Sequence, residues 1–267
     1  MLRPMKHDIS RLLDTWEYKP GQVLVRRFVA KDGTEKIQLR LDLGLLQMNA
    51  EGRPDGKRPL GHESFFHHLV SQLEKHRAAN DGSDEEFVLS GEDCARLQQE
   101  AIQYHHRYIC FYQLGDYASV VRDAERNLEV FDFVDEFAET DELSWALQQF
   151  RPQLLLMLTR ARGMIALEKK EFAATAREVE AGIAAIREFF NAFDRPELAN
   201  QSGEITSLEQ WLENLRHNRE KREAKPEPEP PQLSERQKLE RALQDAVSRE
   251  DYEQAARVRD ALKNLKA

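Results

Sequence analysis

The sequence predicts a mainly α-helical protein. It reads as a body of helical hairpins, with an N-terminal two-stranded β-hairpin and a separate C-terminal helical hairpin. Three features predict this. Apolar residues recur at helical spacing from Ser90 to Asn191. Ile37, Leu39, Leu41, Leu43 and Leu45 alternate with Gln38, Arg40, Asp42 and Gly44, as in a half-buried strand. Four prolines within Lys225–Pro231 set the last helical pattern apart.

Composition agrees. The chain has 267 residues, enough for one large domain or two smaller ones at roughly 150 residues each. Hydrophobic residues are 40% and charged residues 33%, against about 45–50% and 25% in typical domains, which favours surface-rich helices. Only 12 residues are Gly, which argues against a barrel or a glycine-rich nucleotide enzyme. Two cysteines, Cys94 and Cys110, cannot build a disulfide scaffold or a four-cysteine zinc site. The longest apolar run, Leu154–Leu158, is too short for a membrane span, and no signal peptide is visible. A cytoplasmic protein without membrane contact is expected.

The first element is a short amphipathic piece around Ile9, Leu12 and Leu13. Gln22–Ala30 is rich in β-branched and aromatic residues, and Asp32-Gly33 supplies a tight turn into the alternating return strand. A two-stranded ribbon is marginal alone, so its apolar face must pack on something. A polar loop at 49–60 is followed by a helix over about 63–79, with Phe65, Phe66, Leu69, Val70 and Leu73 as its stripe. Four helices are then predicted, at about 91–114, 117–138, 142–169 and 172–193, and a further one at 207–221. Leu114-Gly115-Asp116-Tyr117 breaks the first pair, and Lys169-Lys170-Glu171-Phe172 breaks the second in the same way. Tyr108–Tyr117 with Ala124 resembles a tetratricopeptide hairpin, although Tyr117 and Phe172 are 55 residues apart, not about 34. The expected domains are therefore 1–88, 89–222, a Pro/Glu linker at 223–233, and 234–267.

The C-terminal segment reads as two helices. Leu239, Leu243, Ala246 and Val247 make the stripe of the first. Asp251 caps the second, with Gln254 three residues on, as in a capping box. Tyr252, Ala255, Ala256, Val258, Leu262 and Leu265 supply the second stripe. The run Asp251-Tyr-Glu-Gln-Ala-Ala-Arg-Val-Arg-Asp260, with Leu239 and Ala246 before it and Leu265 after it, resembles the UVR motif. That helical hairpin is shared by the excision-repair proteins UvrB and UvrC and by some bacterial stress and protease-adaptor proteins. Leu243 and Glu250 depart from the family pattern without breaking it. The resemblance implies protein pairing. The physics agrees, because so short a hairpin buries too little surface to stand alone. A protein partner is expected, another UVR-bearing protein or a second copy of this chain included. The expected contact residues are Leu239, Leu243, Val247, Tyr252, Ala255, Ala256, Arg259, Asp260 and Leu262.

Charge is uneven. Residues 1–80 carry 14 Lys/Arg against 10 Asp/Glu, whereas 81–231 carry 17 against 31. An acidic body repels phosphate backbones, so any nucleic-acid contact falls to the basic N-terminal part. Arg53, Lys57 and Arg58, with Arg26, Arg27 and Arg40 nearby in sequence, are the candidate anion-binding residues. The chain has no phosphate-loop motif, which excludes a helicase motor. His62-Glu63 and His67-His68 miss the zincin spacing. His106 and Cys110 stand four apart on one helix but read more simply as a surface histidine and a core thiol. No cofactor, metal or catalytic residue is expected. The reading is an adaptor that binds partner proteins, with a nucleic-acid accessory factor as its rival.

Overall fold

In a computed structural model, residues 8–223, 234–249 and 251–265 are described. The chain divides into two compact units, Met1–Arg216 and His217–Ala267. The proline-rich segment 225–231, expected as a linker, lies outside the described residues.

Helix α1 (Ser10–Asp14) precedes strands β1 (Leu24–Val29), β2 (Glu35–Leu41) and β3 (Gly44–Asn49), which pair antiparallel in that order. The first turn forms as expected. Gly33 takes φ 81°, and the Thr34 N–H donates to the Asp32 carboxylate at 2.9 Å. The sheet has three strands, however, not the two that the alternation predicts. Leu41 pairs with Gly44, so the chain reverses at Asp42-Leu43. A two-residue turn shifts the parity of the strand. Leu46 and Met48, not Leu43 and Leu45, share the face of Leu39 and Ile37. Leu43 stands at the turn tip, 90% exposed. Arg40 holds the reversal: its guanidinium donates to the carbonyls of Asp42 at 3.0 Å and Gly44 at 3.1 Å, and its Nε to that of Trp16 at 2.8 Å.

Ile37, Met48, Leu39 and Val25 face the main core. On the opposite face Gln38 and Arg40 are buried. Arg26 Nε donates to Gln38 Oε1, and Gln38 Nε2 to Gln47 Oε1, each at 2.7 Å. The Trp16 ring lies 4.3 Å from the Arg26 guanidinium.

The helices that follow are α2 (Phe65–Ala79), α3 (Gly91–Gln113), α4 (Tyr117–Phe137), α5 (Asp141–Gln148), α6 (Arg151–Glu168), α7 (Phe172–Ala192), α8 (Pro196–Ala199) and α9 (Gly203–Glu223). The predicted helix 142–169 is thus two helices. Pro152 sits in the first turn of α6, where its missing N–H costs nothing, and the chain breaks just before it. Both expected helix breaks are present, each with a left-handed residue: Gly115 at φ 75° and Lys170 at φ 62°.

One core joins the sheet to α2, α3, α4, α5 and α6. The expected boundary at 88/89 falls inside it: the Leu89 N–H donates to the Phe137 carbonyl at 2.7 Å, and Phe66 meets Phe133 edge-on at 5.5 Å. A second core joins α7 (Val179, Ile183, Ile186) to α9 (Ile205, Leu208, Leu212), with Leu155 and Leu156 of α6 against it. Two glycines permit the close approach. A Cβ on Gly182 would meet Thr159 Oγ1 at 2.1 Å, and one on Gly163 would meet the Trp211 ring at 2.5 Å.

Candidate interaction surface

Helices α10 (Glu235–Ser248) and α11 (Tyr252–Asn264) pack on each other. Their ends are fixed by side chains. Asp251 caps α11, accepting from the Gln254 N–H at 3.0 Å. The reciprocal capping box lies instead at Ser234, which accepts from Gln237 N–H at 3.2 Å while Gln237 Oε1 accepts from Ser234 N–H at 3.0 Å. Its sequence signal is Ser-x-x-Gln opening an apolar stripe.

The predicted contact residues divide into two sets. Ala255 is buried, and Leu239, Leu243, Ala256 and Leu262 are half-buried; with the buried Ala246 they follow the i, i+4, i+7 pattern of a hairpin seam. Val247 and Tyr252 are exposed, at 53% and 71%, and Leu265 joins them at the end of α11. Val247 lies in the last turn of α10 and Tyr252 opens α11, so both flank the link between the helices. Arg259 and Asp260 are exposed and pair with each other at 3.2 Å. Such a surface pair contributes roughly 0–1 kcal/mol. The large exposed apolar side chains of the hairpin are thus Val247, Tyr252 and Leu265.

Four of the six candidate anion-binding residues already have protein partners. Arg26 is spent on Gln38, Arg27 on Glu35 and Asp116, and Arg40 on backbone carbonyls. Arg53 points inward, with its Nε 3.1 Å from a Glu100 oxygen. Lys57 and Arg58 are exposed and make no ion pair among the described residues.

Arg53 belongs to a buried ionic cluster that sequence reading missed. Glu100 is fully covered. It accepts from the Phe65 N–H at 2.8 Å and the Phe66 N–H at 3.3 Å, and pairs with Arg126. It therefore caps the first two amides of α2, where Ser64 caps the third. Arg107 pairs with Asp123 and donates to the carbonyls of Asn49 at 3.0 Å and Gly52 at 2.7 Å. Arg122 donates to the Ala50 carbonyl at 3.0 Å and pairs with Glu51 at 2.8 Å. The polar loop is thus bolted to α3 and α4 by arginines. No periodicity reports a pairing between residues so far apart.

The described histidines make separate local contacts. His67 bonds Ser64 Oγ at 2.7 Å, and His62 meets His68 edge-on at 5.0 Å. Cys110 is fully buried, which pushes its thiol up to about 12. His106 is held below its ordinary value by burial. No cluster of three or more metal-ligating side chains occurs among the described residues. No helix among them is long and apolar enough to cross a membrane.

A family model described as the UvrB/uvrC motif matches residues 234–267, the segment that contains α10 and α11. No curated protein and no solved structure matches the chain.

Proposed function

We propose that this chain is a non-enzymatic adaptor that acts in the cytoplasm through its UVR hairpin. The motif supports an interaction-mediating role. The finer reading rests on one observation: Tyr252 is 71% exposed on a hairpin where Val247 and Leu265 are exposed too, while Leu239, Leu243, Val258 and Leu262 are half-buried. A large aromatic left in water at the mouth of a small hairpin is the residue type that anchors protein interfaces. A second hairpin of the same kind is the fitting occupant, because two amphipathic helix pairs complete a four-helix arrangement. The body Met1–Arg216 is the part that such pairing would bring to a partner.

Affinity purification of the full chain against a chain ended at Ala224, with sedimentation of both, tests the reading. A defined partner or dimer that is present with the full chain and lost on truncation supports it. Identical partners and an identical oligomeric state with and without the hairpin overturn it. The rival nucleic-acid reading draws little support from the geometry, since four of its six basic residues already have protein partners.

A further inference from the structure

We propose that the hollow between α3, α4, α5 and α6 is a binding site for a small uncharged molecule, a ring or short apolar body carrying one hydrogen-bond acceptor. All of its described lining residues belong to the unit Met1–Arg216. Its volume is about 280 Å3, near the lower end of small-ligand sites at roughly 300–1,000 Å3.

The lining sets the ligand class. None of the eleven described lining residues is Asp, Glu, Lys or Arg. One residue in three of this chain is charged, so that lining is a marked departure from its surface. The one titratable base, His105, is held neutral, pushed down to about 4 by burial and by neighbouring His106. The floor is Phe131, Leu147 and Leu154, all buried. Ile102 and Phe150 also line the hollow, yet each is 48% exposed. A charged ligand would lose its hydration here without gaining a counter-charge. An apolar body would cover Ile102 and Phe150 and gain from doing so.

Besides the amides of Gln98, Asn127 and Gln153, the His105–Tyr108 pair supplies a hydrogen-bonding group to the lining. His105 Nδ1 and the Tyr108 hydroxyl are 2.6 Å apart. Burial keeps that hydroxyl protonated. If Tyr108 donates to Nδ1, the neutral imidazole retains its Nε2–H. If Nδ1–H donates to Tyr108, the phenol retains its O–H. Either tautomer leaves one donor beyond the pair's own bond. A ligand acceptor, such as a carbonyl or ether oxygen, would satisfy it.

The test uses the full chain and the neutral fluorophore N-phenyl-1-naphthylamine, followed by competition. The expected result is saturable binding at one site per chain. Ile102→Arg, which places a charge among the exposed lining residues, should weaken it at least tenfold without changing the unfolding temperature. Phe150→Ala should weaken it several-fold. 1-Acetylnaphthalene should displace the probe at lower concentration than 1-ethylnaphthalene. Absence of saturable binding, or binding that neither substitution alters, overturns the site. Equal competition by the two naphthalenes overturns the acceptor.

Discussion

Arg107 of α3 and Asp123 of α4 form a two-point ion pair, with contacts of 2.7 and 2.8 Å and both side chains 1% exposed. The pair is also a bolt, because the third guanidinium nitrogen holds the carbonyls of Asn49 and Gly52. Arg107→Ala leaves a buried carboxylate with only Arg122 for company, and two carbonyls unpaired. Breaking a buried pair from one side costs about 3–5 kcal/mol. Arg122→Ala, at a partly exposed position, should cost about 1 kcal/mol. Urea unfolding of the two variants checks the contrast; equal losses would refute it. Arg107→Met with Asp123→Leu should recover only part of the loss, since neither side chain bonds the loop carbonyls.

His105 gives the body a pH dependence. Its folded pKa, pushed down to about 4 mainly by burial, lies below its ordinary 6.5. Between those values the unfolded chain binds more protons, so stability is fully present above 6.5 and is lost as pH falls towards 4. His105→Asn removes that slope. The urea midpoint of the natural chain should therefore fall more steeply from pH 6.5 to 4.5 than that of the variant. Parallel curves would mean that His105 takes up its proton equally in the folded and unfolded chains.

The helices were legible because each buries a stripe, and stripes have a period. Phe65, Phe66, Leu69 and Leu73 of α2 were readable in this way, as were the helix breaks at Gly115 and Lys170. The turn at Asp42-Leu43 was not. Alternation survives a two-residue reversal, and the residue that fixes the turn, Arg40, acts through backbone carbonyls that no pattern displays. The inward turn of Arg53 was hidden for a related reason. A basic residue in a polar loop looks solvated until Glu100, 47 positions on, is found beside it. The hairpin's stripes were legible, but not their division into seam and exposed rim. That division depends on how the two helices are rotated against each other.

Tyr252 and Val247 make the interface reading quantitative. Both are more than half exposed, so replacing both should leave unfolding within about 1 kcal/mol. Tyr252→Ala with Val247→Ser should weaken association at least tenfold, which corresponds to about 1.4 kcal/mol. Ala255→Ser, at a buried position of α11, should act in the opposite proportion, lowering stability more than it alters the interface. Sedimentation and thermal unfolding of the three chains separate these outcomes. Unchanged association in the double variant would place the contact elsewhere on the chain.

Gly182 sets how closely α6 and α7 approach. An added methyl there would lie 2.1 Å from Thr159 Oγ1 and 2.7 Å from Thr159 Cβ, and Thr159 is itself buried. Neither helix can yield cheaply, since α6 is also pinned where Gly163 meets Trp211. Gly182→Ala should destabilise by about 1–3 kcal/mol, the usual cost of overpacking. Thr159→Ala in the same chain should restore part of this but not all, because its Cβ remains within the clash distance. Gly203→Ala is the control. Nothing lies within 4 Å of its added carbon, so the lower entropy of the unfolded chain should stabilise it by about 0.4–1 kcal/mol. Calorimetry of the three variants decides. If Gly182→Ala were as stable as Gly203→Ala, the helices would have room that this packing denies them.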